Sequence, residues 1–114
     1  MTVALLADDR RVVCARCSIA DSVRTRLKGL LGRKALESGE GLLLRPANSV
    51  HTAFMRFPID VVFLDRELKV LDVAESVPPW RMKARKGARA VLELGAGEAA
   101  RQGIAPADSL QLQQ

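Results

Sequence analysis

The run Ile59–Leu64 constrains the fold of this chain more than any other part of its sequence. Five of its six residues are β-branched or large and apolar, and only Asp60 is polar. Because a short apolar run without alternation is typical of a strand buried on both faces, it predicts a central strand of a sheet. Residues 65–67 predict a turn, and the alternating residues 68–77 predict a partner strand. The two strands should therefore form a β-hairpin, which the following prolines end.

Shorter elements are predicted on both sides of this hairpin. A helix is predicted at residues 21–32, where apolar residues share one helical face, and a shorter helix at residues 98–102, with one further helical turn within residues 33–40. The remaining strands are predicted at residues 2–7, 11–19, 42–45, 50–55, 88–94 and 109–112. About seven short strands with two or three short helices, in no regular alternation, predict an α+β fold that is mostly β. We expect a small barrel-like structure or a strongly bent antiparallel sheet, formed by residues 1–114 as a single domain.

The charge balance favours partners that carry negative charge. The 114 residues carry 18 lysines and arginines against 13 acidic residues, a formal net charge of +5. Such a balance suits nucleic acid, a phosphorylated metabolite or a membrane surface, but it also serves solubility alone. No run approaches the length of about 20 apolar residues that a membrane span needs. The first residues, MTVALLADDRRVV, lack the features of a signal peptide, which predicts a cytoplasmic protein unless a leader has been removed.

The two cysteines, Cys14 and Cys17, form a C-x-x-C pair within a predicted strand. Side chains three residues apart in a regular strand point to opposite faces, so the thiols are predicted neither to pair nor to share a metal ion. A zinc site would need two further ligands, and the chain has one histidine. The pattern therefore predicts two ordinary small core residues, with redox activity and metal binding as the alternatives.

The only histidine, His51, lies in the segment VHTAFMRFPIDVVFLD. A histidine can act as a general acid or base near neutral pH, and Asp60 or Asp65 could orient it. This pattern is the basis for the hypothesis of a small hydrolase or transferase. The alternative is a structural histidine, because no serine or cysteine is placed beside it by spacing.

A second segment, PPWRMKARKGAR, is predicted to be a basic loop around the only tryptophan, Trp80. An aromatic ring beside arginines such as Arg81 can stack on a base while the arginines neutralise phosphate. The alternative is a solvated loop whose tryptophan packs back on the core. The motif Gly95-Ala96-Gly97 matches neither a P-loop nor a dinucleotide fingerprint, so it is interpreted as a turn and no cofactor is predicted.

Several motifs, taken in order, resemble the Domain of Unknown Function 192 family over residues 11–112. They are RLKGLLGR (residues 26–33), GLLL (residues 41–44), HTAFMRFPIDVVFLD (residues 51–65), VLEL (residues 91–94), and Gly97 with Gly103-Ile104. The resemblance implies a compact β-rich fold of one domain, and it implies no reaction. Arg26, Arg33, His51, Met55 and Asp60 fall within the motifs by which the family is recognised.

These observations together predict a non-enzymatic accessory domain that binds a ligand or a protein. The alternatives are the hydrolase or transferase built on His51, and binding of nucleic acid or another polyanion through residues 80–89. No catalytic residue and no metal site are assigned. The candidate ligand-binding residues are Arg26, Arg33, His51, Met55, Arg56, Asp60, Trp80 and Arg81.

Overall fold

Strands dominate the computed structural model, which describes residues 2–20, 36–52 and 55–113. Within these ranges the only helix is α1, Glu98–Arg101, so two or three helices are not supported there. The helix predicted at residues 21–32 lies outside the described residues. The strands are β1 (Thr2–Ala7), β2 (Val12–Ala20), β3 (Glu40–Leu44), β4 (Ser49–His51), β5 (Ile59–Leu64), β6 (Val70–Val77), β7 (Met82–Ala84), β8 (Ala90–Gly95) and β9 (Leu110–Gln113).

The predicted hairpin is present, and its strands β6 and β5 are the edge strand and its neighbour in a seven-stranded sheet. The strands follow the order β6-β5-β8-β3-β2-β1-β9, and β5 pairs antiparallel with both β6 and β8. Every residue of β5 is buried, as expected for a strand covered on both faces. The hairpin turn is held by Asp65, whose Oδ1 accepts the backbone N–H groups of Glu67 and Lys69, each at 2.9 Å.

The sheet bends until its two edge strands meet, but it does not close into a barrel. Beside β6 and β9, Lys69 and Ser109 form an isolated antiparallel bridge. The Val70 N–H donates to the Asp108 carbonyl at 2.7 Å, and the Leu110 N–H donates to the Leu68 carbonyl at 3.0 Å. These bonds join the edges near one end, and the sheet is not a closed barrel. It is a mixed sheet rather than a purely antiparallel one, because β2 and β3 run parallel.

The bent sheet separates two apolar clusters. In β5, Val62 and Leu64 face one cluster while Val61 and Phe63 face the other, as strand alternation requires. The first cluster also contains Leu110 and other residues from both edges of the sheet, which places it on the inner face. The second cluster therefore covers the outer face.

The prediction that Cys14 and Cys17 lie on opposite faces of their strand is wrong. Val3 pairs with Cys17 and Leu5 pairs with Cys14, so three steps along β2 match two steps along β1. This extra residue is a β-bulge, and a bulge reverses the alternation of side chains beyond it. Both thiols consequently point into the inner cluster, where they are 1% and 0% exposed.

Candidate functional site

A two-stranded ribbon formed by β4 and β7 stands apart from the main sheet. Ser49 pairs with Ala84, Val50 with Lys83, and His51 with Met82. Val50 is buried and anchors the ribbon to the outer cluster, whereas His51 and all of β7 are exposed. The segment predicted as a basic loop thus contains a short strand, and the pairing brings it beside the predicted histidine segment.

Thr52 joins the end of β4 to the segment that leads into β7. Its backbone N–H donates to the Arg81 carbonyl at 2.8 Å, and its carbonyl accepts the Trp80 N–H at 3.1 Å. Its hydroxyl donates to the Pro78 carbonyl at 2.8 Å and accepts the Arg81 N–H at 2.8 Å. Because Thr52 is fully buried, these bonds fix the backbone on which Trp80 and Arg81 are presented.

Large apolar side chains are exposed on this ribbon. Trp80 is 62% exposed and Met82 is 73% exposed, and Met82 lies directly opposite His51 on the same face. Trp80 also has a φ of 66°, in the left-handed region that bulky residues rarely adopt. Backbone strain of this kind concentrates at binding and catalytic sites, which marks the segment as a functional candidate.

Positive charge surrounds these apolar side chains. Residues 76–92 contain five lysines and arginines and no acidic residue. Among the described residues two ion pairs form, Arg11 with Asp9 and Arg101 with Glu98, and neither includes a cation of this segment. The cations are Arg81, Lys83, Arg85, Lys86 and Arg89, and all are exposed. The segment therefore presents five exposed positive charges, which favours a negatively charged partner.

A shallow depression of about 270 Å³ lies beside the ribbon. It is lined by Pro46, Ala47, Asn48, Ser49, Ala88 and Arg89. Its walls are tied together by backbone bonds, since the Ala47 N–H donates to the Arg89 carbonyl at 3.0 Å and the Arg85 N–H donates to the Asn48 carbonyl at 3.1 Å. The depression extends the basic ribbon with a mixed polar and apolar floor. We refer to residues 46–52 and 78–89 together as the ribbon surface.

Asp60, one of the candidate ligand-binding residues, is buried and is not exposed on this surface. It is fully buried, and its carboxylate accepts three backbone N–H groups: Ser76 at 2.8 Å, Gly97 at 3.0 Å and Ala99 at 2.9 Å. Gly97 is the N-cap residue of α1 and Ala99 lies in its first turn, so the carboxylate stabilises the N-terminus of that helix. This placement favours a structural role for Asp60.

The other candidates fall into three groups. His51, Trp80 and Arg81 come together on the ribbon surface. Met55 is buried in the outer cluster and Arg56 is exposed. Arg26 and Arg33 lie outside the described residues. Within the described ranges no hydrogen bond or ion pair joins His51 to Asp60 or Asp65, and no group of three side chains is arranged to hold a metal ion.

Glu93 is a buried acid that sequence reasoning did not single out. It is 5% exposed and pairs with Leu42 on one side and Val61 on the other, two members of the outer cluster. Burial without a compensating charge raises its pKa from 4.5 to about 7. The only signal in the sequence is one acidic residue in the otherwise apolar strand AVLELG. A carboxyl with this environment can exchange a proton near neutral pH.

Comparison with known proteins places the chain in a family. The family model DUF192, described as an uncharacterized ACR, COG1430, matches residues 4–112. A UPF0127 protein of Pyrococcus horikoshii is 40% identical over 79 residues, which cover 66% of this chain and 68% of that protein. No helix in the described part of the chain has the length and apolarity to cross a membrane.

Two crystal structures share the fold. A protein of unknown function from Novosphingobium aromaticivorans DSM 12444 is 27% identical, with a TM-score of 0.81 over 97% of this chain and 84% of its own. A Sinorhizobium meliloti 1021 protein, which has been suggested to be a transcription regulator, is 22% identical, with a TM-score of 0.83 over 97% of this chain and 92% of its own. At that identity the second likeness establishes the fold alone. The match of the family model over nearly the whole length shows that this chain belongs to the DUF192 family.

Proposed function

We propose that this protein is a non-enzymatic binding domain that holds an anionic ligand on the ribbon surface. The observation that carries the proposal is the exposed pair Trp80 and Met82. These side chains lie on a backbone fixed by hydrogen bonds, in a segment that contains lysines and arginines and no acidic residue. Large apolar side chains that are exposed close together are typical of interaction surfaces. The cations beside them favour a partner that carries negative charge.

The chemistry of this surface suits phosphate combined with a flat ring. An arginine presents a planar fork that matches two oxygens of a phosphate, and Arg81 and Arg85 are both exposed here. A base stacked on a tryptophan contributes about 1–3 kcal/mol. A ligand that carries both groups would engage Trp80 and the neighbouring arginines together, whereas inorganic phosphate would use the arginines alone.

A fixed backbone at Thr52 also supports binding. A surface that is already in its bound conformation loses less conformational entropy when a ligand arrives. The four hydrogen bonds between Thr52 and the chain at Pro78, Trp80 and Arg81 hold the start of β7 in place without a ligand. The exposed basic side chains are then the part of the surface that a ligand would still have to order.

The alternative of a hydrolase or transferase draws no support from the described contacts. A histidine that acts as a base is usually oriented by a hydrogen bond from its second ring nitrogen. Asp60 uses its oxygens for three backbone N–H groups and Asp65 uses Oδ1 for two. His51 is exposed on the ribbon, where it can add to the binding surface.

Trp80 makes the proposal testable because it is the only tryptophan. Its fluorescence would be followed while a single-stranded oligonucleotide, a nucleoside triphosphate and inorganic polyphosphate are added in turn at low salt. The test variant is Arg81→Ala with Arg85→Ala. The control variant, Arg10→Ala with Arg66→Ala, removes the same charge from exposed turns elsewhere.

The proposal predicts a saturable fluorescence change that the test variant loses and the control variant keeps. Repeating the titration at higher salt separates the ligand classes, because a polyanion that displaces many counterions weakens steeply with salt whereas a small ligand does not. A flat response to all three probes, or an equal loss in both variants, would overturn the proposal.

A further inference from the structure

Cys14 and Cys17 are brought together by the β-bulge in β2. The bulge turns both side chains into the inner cluster, and the two residues between them, Ala15 and Arg16, are exposed. Both cysteines are free. In a regular strand the same sequence would place the thiols on opposite faces, so the bulge is what makes a dithiol possible.

Gly41 provides independent evidence that the Cys14 sulfur lies close to Cys17. This glycine pairs with Cys17 across the parallel strands β2 and β3. A Cβ atom added to Gly41 would lie 2.8 Å from the Sγ of Cys14. The Cys14 sulfur therefore packs on the backbone of Gly41, which is the residue that pairs with Cys17.

The environment of the pair distinguishes the two thiols. The neighbouring Cys17 thiol lowers the pKa of Cys14 against the opposing effect of burial, and the charge of Arg16 lowers it further. The neighbouring Cys14 thiol and burial raise the pKa of Cys17. Since the thiolate is the nucleophile, Cys14 would react first and Cys17 would follow.

Cys14 is buried next to a turn that contains exposed residues. Its Sγ lies 3.6 Å from the Gly39 carbonyl, which belongs to the turn between Leu36 and β3. Glu37 and Ser38 in this turn are exposed. We expect a small oxidant to reach the sulfur through a local opening of this turn more readily than a bulky reagent does.

We propose that Cys14 and Cys17 form a peroxide-reactive dithiol that closes to an intramolecular disulfide. In the first step the Cys14 thiolate attacks hydrogen peroxide, so that an S–O bond forms, the O–O bond breaks and hydroxide leaves. Cys14 is oxidised to a sulfenic acid and the hydroxide takes a proton to become water. In the second step the Cys17 sulfur attacks Cys14, the S–S bond forms, and the S–O bond breaks with release of a second water.

The test treats the folded, reduced protein with hydrogen peroxide and follows intact mass and free-thiol content. The expected product has lost two hydrogens and both thiols together, and dithiothreitol restores it. Circular dichroism recorded during the reaction checks that the fold persists. A product that only gains oxygen atoms, or thiols that react only once denaturant unfolds the chain, would overturn the proposal.

Two single variants test the order of the steps. In Cys17→Ser the sulfenic acid at Cys14 has no partner, so dimedone should trap it. In Cys14→Ser the remaining thiol should react at least about tenfold more slowly than Cys14 does in the other variant, because burial still raises the pKa of Cys17 whereas Arg16 still lowers that of Cys14. Equal rates in the two variants would contradict the assignment of Cys14 as the nucleophile. The disulfide of the wild-type protein remains a separate readout if either variant folds poorly.

Discussion

Replacing Glu93 with glutamine should change how the stability of the protein depends on pH. The side chain is 5% exposed between apolar neighbours, and burial raises its pKa from 4.5 to about 7. In the unfolded chain the carboxyl ionises near its ordinary value, whereas in the folded chain it keeps its proton up to about pH 7. Between these values the folded state binds more protons than the unfolded state, so stability falls as pH rises.

The size of this effect follows from the two pKa values. At about 1.36 kcal/mol for each pH unit, a change from 4.5 to about 7 corresponds to about 3 kcal/mol of lost stability. The contribution of the protonated Glu93 carboxyl to stability is fully present below pH 4.5 and is lost above pH 7. Glu93→Gln cannot ionise, so the variant should be more stable than wild type above pH 7, by up to this amount. Below pH 4.5 the free energy of unfolding of the variant minus that of wild type should be lower than its value above pH 7 by about 3 kcal/mol.

Urea denaturation followed by circular dichroism over this pH range measures the difference directly. Other groups titrate in both proteins, so the quantity of interest is the free energy of unfolding of the variant minus that of wild type. Glu75→Gln is the matched control, because Glu75 is an exposed acid on β6. A difference for Glu93→Gln that stays constant with pH, as expected for the control, would refute the reasoning from burial.

Three further substitutions test the contacts that position the ribbon and the core. Asp60→Asn should cost about 3 kcal/mol or more in urea denaturation because three buried N–H groups lose a charged acceptor, whereas the exposed control Asp72→Asn should change little. Thr52→Val should cost about 1–3 kcal/mol and weaken ligand binding, measured by Trp80 fluorescence; unchanged binding would separate this residue from the site. Gly41→Ala should lower the melting temperature, since its Cβ would lie 2.8 Å from the Cys14 sulfur; an unchanged value would contradict that packing.

The hairpin of β5 and β6 was predictable because its signal is local. A continuous apolar run, a polar turn and an alternating run in this order are typical of a β-hairpin. The antiparallel pairing of β5 with β6 confirms the prediction. The mostly β character follows from similar local signals, whereas β7 lies in a segment that was predicted to be a loop. The parallel pairing of β2 with β3 was not predictable, because it joins segments whose partners are decided by the whole sheet.

The candidate site was only partly predictable for the same reason. Sequence reasoning identified His51 and Trp80 in two separate segments, but their proximity depends on the pairing of β4 with β7. That pairing rests on long-range hydrogen bonds of Thr52, a residue without any special signal in the sequence. The bulge in β2 is a single extra residue that pairing with β1 determines, which explains why the cysteine prediction was wrong.

Mapping of amide chemical shifts tests the account of the ribbon surface most directly. A short single-stranded oligonucleotide would be added to the labelled protein at low salt, and the shift of each amide signal followed to saturation. The account predicts that the changes concentrate in residues 46–52 and 78–89, with the largest around Trp80 and Arg81. Changes that centre on another part of the sheet, or no changes at all with this probe or with inorganic polyphosphate, would contradict it.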